Sequence, residues 1–331
     1  MESLNSNYKL VKDLAEQVTD KVQGVFLWVY LVIRSLREGL TNGDSLADLH
    51  RRIEALPANL ESFFKHILVS VDRFYHKRMC RIFQVAMCSP KPVELIIYPL
   101  LDDDLDHNAD IHVPSAKFTG SEIRDRLKRA RRRLNGRYKG LLEVHINKSM
   151  AEVASHRVKF LHRTVRDFFC TKEMKNFFEA QDDVFNPYFS TFKAYVRLIQ
   201  SFNFSIQDMA NQGLMQSFLR DSFYFARNVK PDLNHSPVDQ LDELDHTLEL
   251  VTSQLECGVS WYRLCYNDEY GVPSCKTFLE FAVQTGLRQY INNKLRGGRL
   301  DIETKSRLLY CALIGPTNQL GYLAVDESTR S

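Results

Sequence analysis

From residue 9 to 39 the apolar positions recur at helical spacing. Leu14, Val18 and Val22 stand four apart, and GVFLWVYLVIRSL (24–36) is then apolar on nearly every side. The spacing predicts one long helix, and the all-round apolar stretch predicts that it is buried on every side, as the middle of a bundle. Thr41-Asn42-Gly43 ends it. Asp44 is the predicted N-cap of a second helix, whose Leu46, Leu49, Ile53 and Leu56 mark a buried stripe before Pro57 breaks it. A third helix carries Phe63, Phe64, Ile67 and Leu68. A fourth, near 76–88, carries Met79, Ile82, Phe83 and Met87 and stops at Ser89-Pro90-Lys91-Pro92.

The rhythm then changes. Residues 93–101 are apolar, 102–120 read as a polar loop, and 121–137 read as a basic helix. GLLEVHI (140–146) alternates as a strand does, 147–157 is polar, and VKFLH (158–162) reads as a second strand. Helices followed by a two-stranded hairpin are the order of a winged-helix unit. Residues 163–180 read as one helix with Val165, Phe168, Phe169, Met174 and Phe177 as its apolar set. Beyond it only helices are predicted, near 189–204, 207–228 and 238–256. In TFLEFAVQTGLRQYINNKL (277–295), Thr277, Leu279, Ala282 and Gly286 stand at ankyrin-like positions, and Leu309 and Ala312 repeat the Leu279/Ala282 pair thirty residues on. So short an array has to lean on the helices before it.

The fold expected is therefore mainly α. A helical bundle (1–90) precedes a winged-helix-like unit with a small β-hairpin (91–180), and an α-helical, ankyrin-like tail follows (181–331, with the degenerate repeat near 277–315). A chain of 331 residues with 44% apolar and 26% charged residues suits two or three globular domains. Seven cysteines, none at C-x-x-C spacing, point away from a disulfide framework or structural zinc and toward a reducing, cytoplasmic compartment. Residues 1–20 carry no apolar signal core. The longest apolar run, Val25–Ile33, is nine residues, whereas crossing a bilayer takes about 20; no membrane association is expected.

Net charge is only +3, but its distribution is uneven. Residues 121–139 hold nine Lys or Arg against two acids. Arg124, Lys128, Arg131, Arg132, Arg133 and Arg137 could meet nucleic acid or an acidic partner, or could form a solvated face with some arginines pairing acids. No phosphate-loop motif, dinucleotide fingerprint, H-E-x-x-H or G-x-S-x-G occurs, so no enzyme activity and no metal site are expected. VELIIYPLLDDD (93–104) imitates the strand and acids of a Walker B, but Pro99 would break a central strand's ladder. The acids Asp102, Asp103, Asp104, Asp106 and Asp110 lack the glycine and terminal glutamate of a calcium loop.

Three landmarks carry a resemblance. Gly24-Val25-Phe26-Leu27-Trp28-Val29, then Leu56, Pro57 and Leu60, then Phe160-Leu161-His162-Arg163-Thr164 with Asp167 and Phe168, occur in that order. Together they resemble the fungal NACHT-type STAND proteins, relatives of the animal NOD-like receptors, in the region that follows their nucleotide-binding core. The resemblance covers roughly residues 10–180. It implies a nucleotide-controlled switch in which helical and winged-helix domains close over bound ADP. It also implies that His162, at the junction of strand and helix in VKFLHRTVRDFF, is the nucleotide-sensing histidine, since an imidazole N–H can donate to a phosphate oxygen. The family's phosphate loop and magnesium-binding acids do not occur in these 331 residues. ADP or ATP is therefore expected as a cofactor only where an upstream core supplies the pocket. Expected partners are that NACHT core or a second copy of the chain, and the expected role is regulatory and non-catalytic. The alternative is a winged-helix nucleic-acid binder that uses 121–139.

Overall fold

The computed structural model describes residues 12, 16, 26–102, 117–182, 184–201, 209–231, 235–253, 261, 275–296 and 301–314. Gly24, Val25, the acids from Asp103 to Asp110, and the sequence beyond Ile314 lie outside them. The protein is mainly α with one small antiparallel sheet. Two compact units are present. The first draws on 1–79, 134–143 and 160–181, the second on 80–133, 144–159 and 182–331.

In the first unit, α1 (Phe26–Thr41), α2 (Leu46–Ala55) and α3 (Leu60–Val69) pack with α8 (Arg163–Phe169) and α9 (Lys172–Gln181). α2 starts one residue later than the sequence suggests. Ser45, not Asp44, is the N-cap, and its reciprocal bonds with Asp48 form a capping box. Asp44 instead pairs with Arg52 at 2.7 Å. The predicted buried stripes of α2 and α3 are found, with Leu49, Ile53, Phe63, Phe64, Ile67 and Leu68 all in the core. α1 differs from expectation. Trp28, Leu31 and Val32 are buried, but Phe26 is 81% exposed and Ile33 50%, so only one of its faces lies in the bundle. The single helix expected over 163–180 is two, because Thr171 interrupts it. Its hydroxyl donates to the Phe168 carbonyl and its carbonyl accepts from Lys175, which starts α9 afresh.

α4 (His76–Cys88) leads into the second unit. The apolar run 93–101 divides into β1 (Val93–Glu94) and α5 (Ile97–Asp102). Pro99 sits in the first turn of α5, where its missing N–H costs nothing. α6 (Gly120–Arg137), β2 (Leu142–Ile146) and β3 (His156–Phe160) follow, and the sheet order is β1-β3-β2. Helix, strand, helix, helix and hairpin in this order make a winged-helix-like topology. β3 begins two residues before the predicted strand and ends before His162. The connection between β2 and β3 is only partly the polar turn expected. Its second half folds as α7 (Glu152–Ser155) and buries Val153 and Ala154.

The rest of the second unit is helical: α10 (Pro187–Ser201), α11 (Met209–Asn228), α12 (Val238–Ser253), α13 (Phe278–Thr285), α14 (Arg288–Arg296) and α15 (Ile302–Ile314). Aromatic side chains fill its core. Tyr195 stacks on Phe225 at 5.8 Å, and Trp261 meets Phe281 at 5.1 Å. α13 carries the ankyrin-like marks, with Thr277 as N-cap and Gly286 in the left-handed conformation at φ 74°, which a residue with a Cβ disfavours. The second copy of the pattern is out of register. In α15 Leu308 and Cys311 are buried, whereas Leu309 is 62% exposed and Ala312 is also exposed.

Candidate functional site

The three landmarks come together in the first unit. Trp28 of the first is 1% exposed and donates from Nε1 to the carbonyl of Pro57, in the second, at 2.7 Å. Phe64, one turn beyond Leu60, meets Phe168 of the third with ring centroids 5.3 Å apart. Phe168 meets Phe169 at 5.4 Å, and Phe169 in turn meets Phe178 at 5.7 Å. Segments far apart in sequence are thus fixed by one aromatic core, and the polar members of the third landmark are displayed from it.

His162 is the N-cap of α8. Its backbone is extended, and its Nδ1 accepts the backbone N–H of Thr164 at 3.2 Å, with the Thr164 hydroxyl at 2.9 Å. A nitrogen that accepts from an amide carries no proton, so the neutral ring is protonated at Nε2. The residue is exposed. The ring therefore has one nitrogen committed to the helix and one N–H donor for another group. The exposed neighbours Arg163 and Asp167 belong to the same short helix.

The open face of α1 belongs to the same unit. Phe26, Val29, Tyr30 and Ile33, at the spacing of one helical stripe, line a shallow groove of about 410 Å³ together with Arg37 and Glu38. Tyr30 donates to Glu143 at 3.0 Å and Lys139 pairs with Glu38 at 2.7 Å. Burial and the neighbouring Glu143 carboxylate both push the Tyr30 phenol up.

In the second unit the structure gathers charges that periodicity alone does not reveal. Glu94 is fully buried. Its carboxylate accepts from Arg157 at 2.8 Å and from the Tyr195 hydroxyl at 2.5 Å. Asp221, also buried, pairs with Lys91 at 2.6 Å. Burial, and next the Glu94 charge, raise the Asp221 carboxyl to about 6 against the pull of Lys91 and Arg157. Asp245 is likewise raised to about 6, chiefly by burial, although the indole N–H of Trp261 holds its charged form at 2.8 Å. An unfolded aspartate titrates near 3.9. Between about pH 4 and 6 each of these two carboxyls therefore holds a proton in the folded chain that it releases in the unfolded one, and its contribution to stability rises as pH falls through that window. Asp221→Asn is expected to lower this slope by up to about 1.4 kcal/mol per pH unit, the value for one proton. Urea unfolding at pH 4, 5, 6 and 7 measures it.

The basic residues lie along α6. Arg124, Lys128, Arg131, Arg132 and Arg133 are exposed, while Ile123, Leu127, Ala130 and Leu134 face inward. Arg137 ends the helix. Among the described residues no three metal-ligating side chains converge and no helix is long and apolar enough to cross a membrane. The five described cysteines are free thiols, and burial pushes Cys80 and Cys275 up to about 12, which keeps both as unreactive thiols.

Residues 70–210 match the family described as Domain of unknown function (DUF7791). The matched span runs from the end of α3 to the start of α11. It includes the winged-helix-like unit and His162, and excludes α1, α2 and the ankyrin-like end. No curated protein and no solved structure matches the chain.

Proposed function

We propose that this chain is the regulatory and interaction region of a NACHT-type STAND signalling protein, acting on a nucleotide-binding core and performing no chemistry itself. The observation that carries the reading is the convergence of Trp28, Pro57 and Phe168 in one compact unit, which holds two features a core could use. One is the apolar face of α1, and the other is the Nε2 donor of His162. The family matched over 70–210 is often found with NACHT proteins, which favours the same reading. In it, ADP or ATP is bound only when the core supplies the phosphate cradle and the metal, and His162 donates to a phosphate oxygen. The chain alone binds neither nucleotide.

Mixing the chain with a separately purified fungal NACHT core, with ADP present, tests this directly. A one-to-one complex is expected on size exclusion. Phe26→Asp with Ile33→Asp should abolish the complex, and His162→Ala should weaken ADP retention by the complex by about ten- to a hundredfold, the loss of about 1.5–3 kcal/mol that one hydrogen bond to a charged group supplies. A chain that ignores the core, or that uses the α1 face only to pair with itself, would refute the proposal.

A further inference from the structure

We propose that the outward face of α6, with the tip of the β2–β3 connection, binds double-stranded nucleic acid through its phosphates. The face is defined by what α6 buries. Ile123, Leu127, Ala130 and Leu134 turn inward at spacings of four, three and four. Arg124, Lys128, Arg131 and Arg132 then share one outward flank, within about 100° of helical arc, all exposed. At 1.5 Å per residue these four cations span about 12 Å, close to the width of a B-form major groove, about 12 Å. Among the described residues, Lys128, Arg131 and Arg132 have no acidic partner. Arg124 has only Glu152, at 3.5 Å with both side chains largely exposed, and such a pair contributes about 0–1 kcal/mol. Arg133 is exposed too but makes contacts of its own.

The Arg124–Glu152 pair also locates the wing. Glu152 opens α7 within the β2–β3 connection, so the connection lies beside the cationic face. Its tip exposes Asn147, Lys148 and Ser149, and is held in shape by the Asn147 side chain accepting from the Ser149 N–H at 3.1 Å. One helix face with four cations and a stiff turn with a fifth form a surface that can follow a phosphate backbone. The two acids near the start of α6 do not cancel it. Glu122 is tied back to the Thr119 N–H at 2.7 Å, as a cap, which leaves Asp125.

The outward face carries no apolar side chain. A helix that lies on a bilayer needs one to insert, so the pattern fits a polyanion in water rather than a lipid surface. The surface uses neither α1 nor His162, and the inference is independent of the nucleotide-switch reading.

The experiment is fluorescence anisotropy of a labelled 20-base-pair DNA duplex titrated with the full chain at 50, 100 and 200 mM salt. Four or five phosphate contacts predict that log K falls against log salt with a slope of about −4. Lys128→Ala/Arg131→Ala/Arg132→Ala should weaken binding at least tenfold and flatten the slope by about three. Lys148→Ala alone should flatten it by about one, and Lys305→Ala, an exposed cation elsewhere, should change nothing. Circular dichroism melts confirm that each variant folds; should the triple variant not fold, single substitutions at Lys128 and Lys148 decide. No anisotropy change at 50 mM salt overturns the proposal. So does a triple variant that binds as the parent does, or tighter co-sedimentation with phosphatidylserine vesicles than binding to duplex.

Discussion

Arg157→Ala is expected to lower the free energy of unfolding by about 3–5 kcal/mol, the usual cost of leaving a buried charge without its partner. Glu94 is fully buried, and Arg157 and Tyr195 are the donors that hold its carboxylate. Without the guanidinium, the carboxylate has one hydroxyl donor in a low-dielectric core, and a buried charge so poorly held is costly. Glu94→Ala should cost less, because the Arg157 side chain retains 21% exposure and reaches water. Glu94→Leu with Arg157→Leu should recover much of the loss, since apolar side chains of similar volume often replace a buried pair without penalty. Urea denaturation of the four proteins at pH 7 gives the comparison. An Arg157→Ala variant within about 1 kcal/mol of the parent, the range of an exposed ion pair, would show that the cluster does not hold the second unit together.

Trp28→Ala should be of similar size, about 3–5 kcal/mol, from the lost packing of a large buried ring and the cavity it leaves. The Pro57 carbonyl would lose its donor as well. Trp28→Phe separates the two contributions: it keeps most of the contact with Phe63, 6.2 Å away, and should cost about 1–2 kcal/mol for the missing hydrogen bond and the smaller ring. Phe26→Ala, two residues earlier on the same helix, should stay within about 0.5 kcal/mol. Equal losses at Trp28 and Phe26 by thermal and chemical unfolding would mean that α1 is covered on both faces.

That contrast also marks what the sequence could and could not disclose. The stripes of α2 and α3 were readable because polar residues occupy the positions between Leu49 and Ile53 and around Phe63 and Phe64. α1 has no such relief. Nine apolar residues in a row fix a helix but not which side of it is buried, so Ile33 and Val32 read alike and differ in the fold. Ser45 and Asp44 are both good caps, and only the chain's path gave one the helix and the other an arginine. Thr171 split a helix that hydrophobic spacing alone would continue, because its hydroxyl competes for the backbone. In the ankyrin-like end, Leu308 and Leu309 are equivalent by composition, and packing chose the former. His162 was found by its neighbours in sequence, while its cap role and tautomer come from geometry. The cluster of Lys91, Glu94, Arg157 and Asp221 leaves no trace in the sequence, since its members sit up to 130 residues apart and carry no spacing signal.

The pairing of Glu94 with Arg157 has one more consequence. The two residues face each other across the antiparallel ladder, as Val93 and Val158 do beside them. β1 has only two residues, too few for alternating hydrophobicity to choose an alignment. A slip of one position would turn the carboxylate and the guanidinium to opposite sides of the sheet and strand both. The ion pair thus serves as a locating pin, and the aim of the wing relative to α6 depends on it.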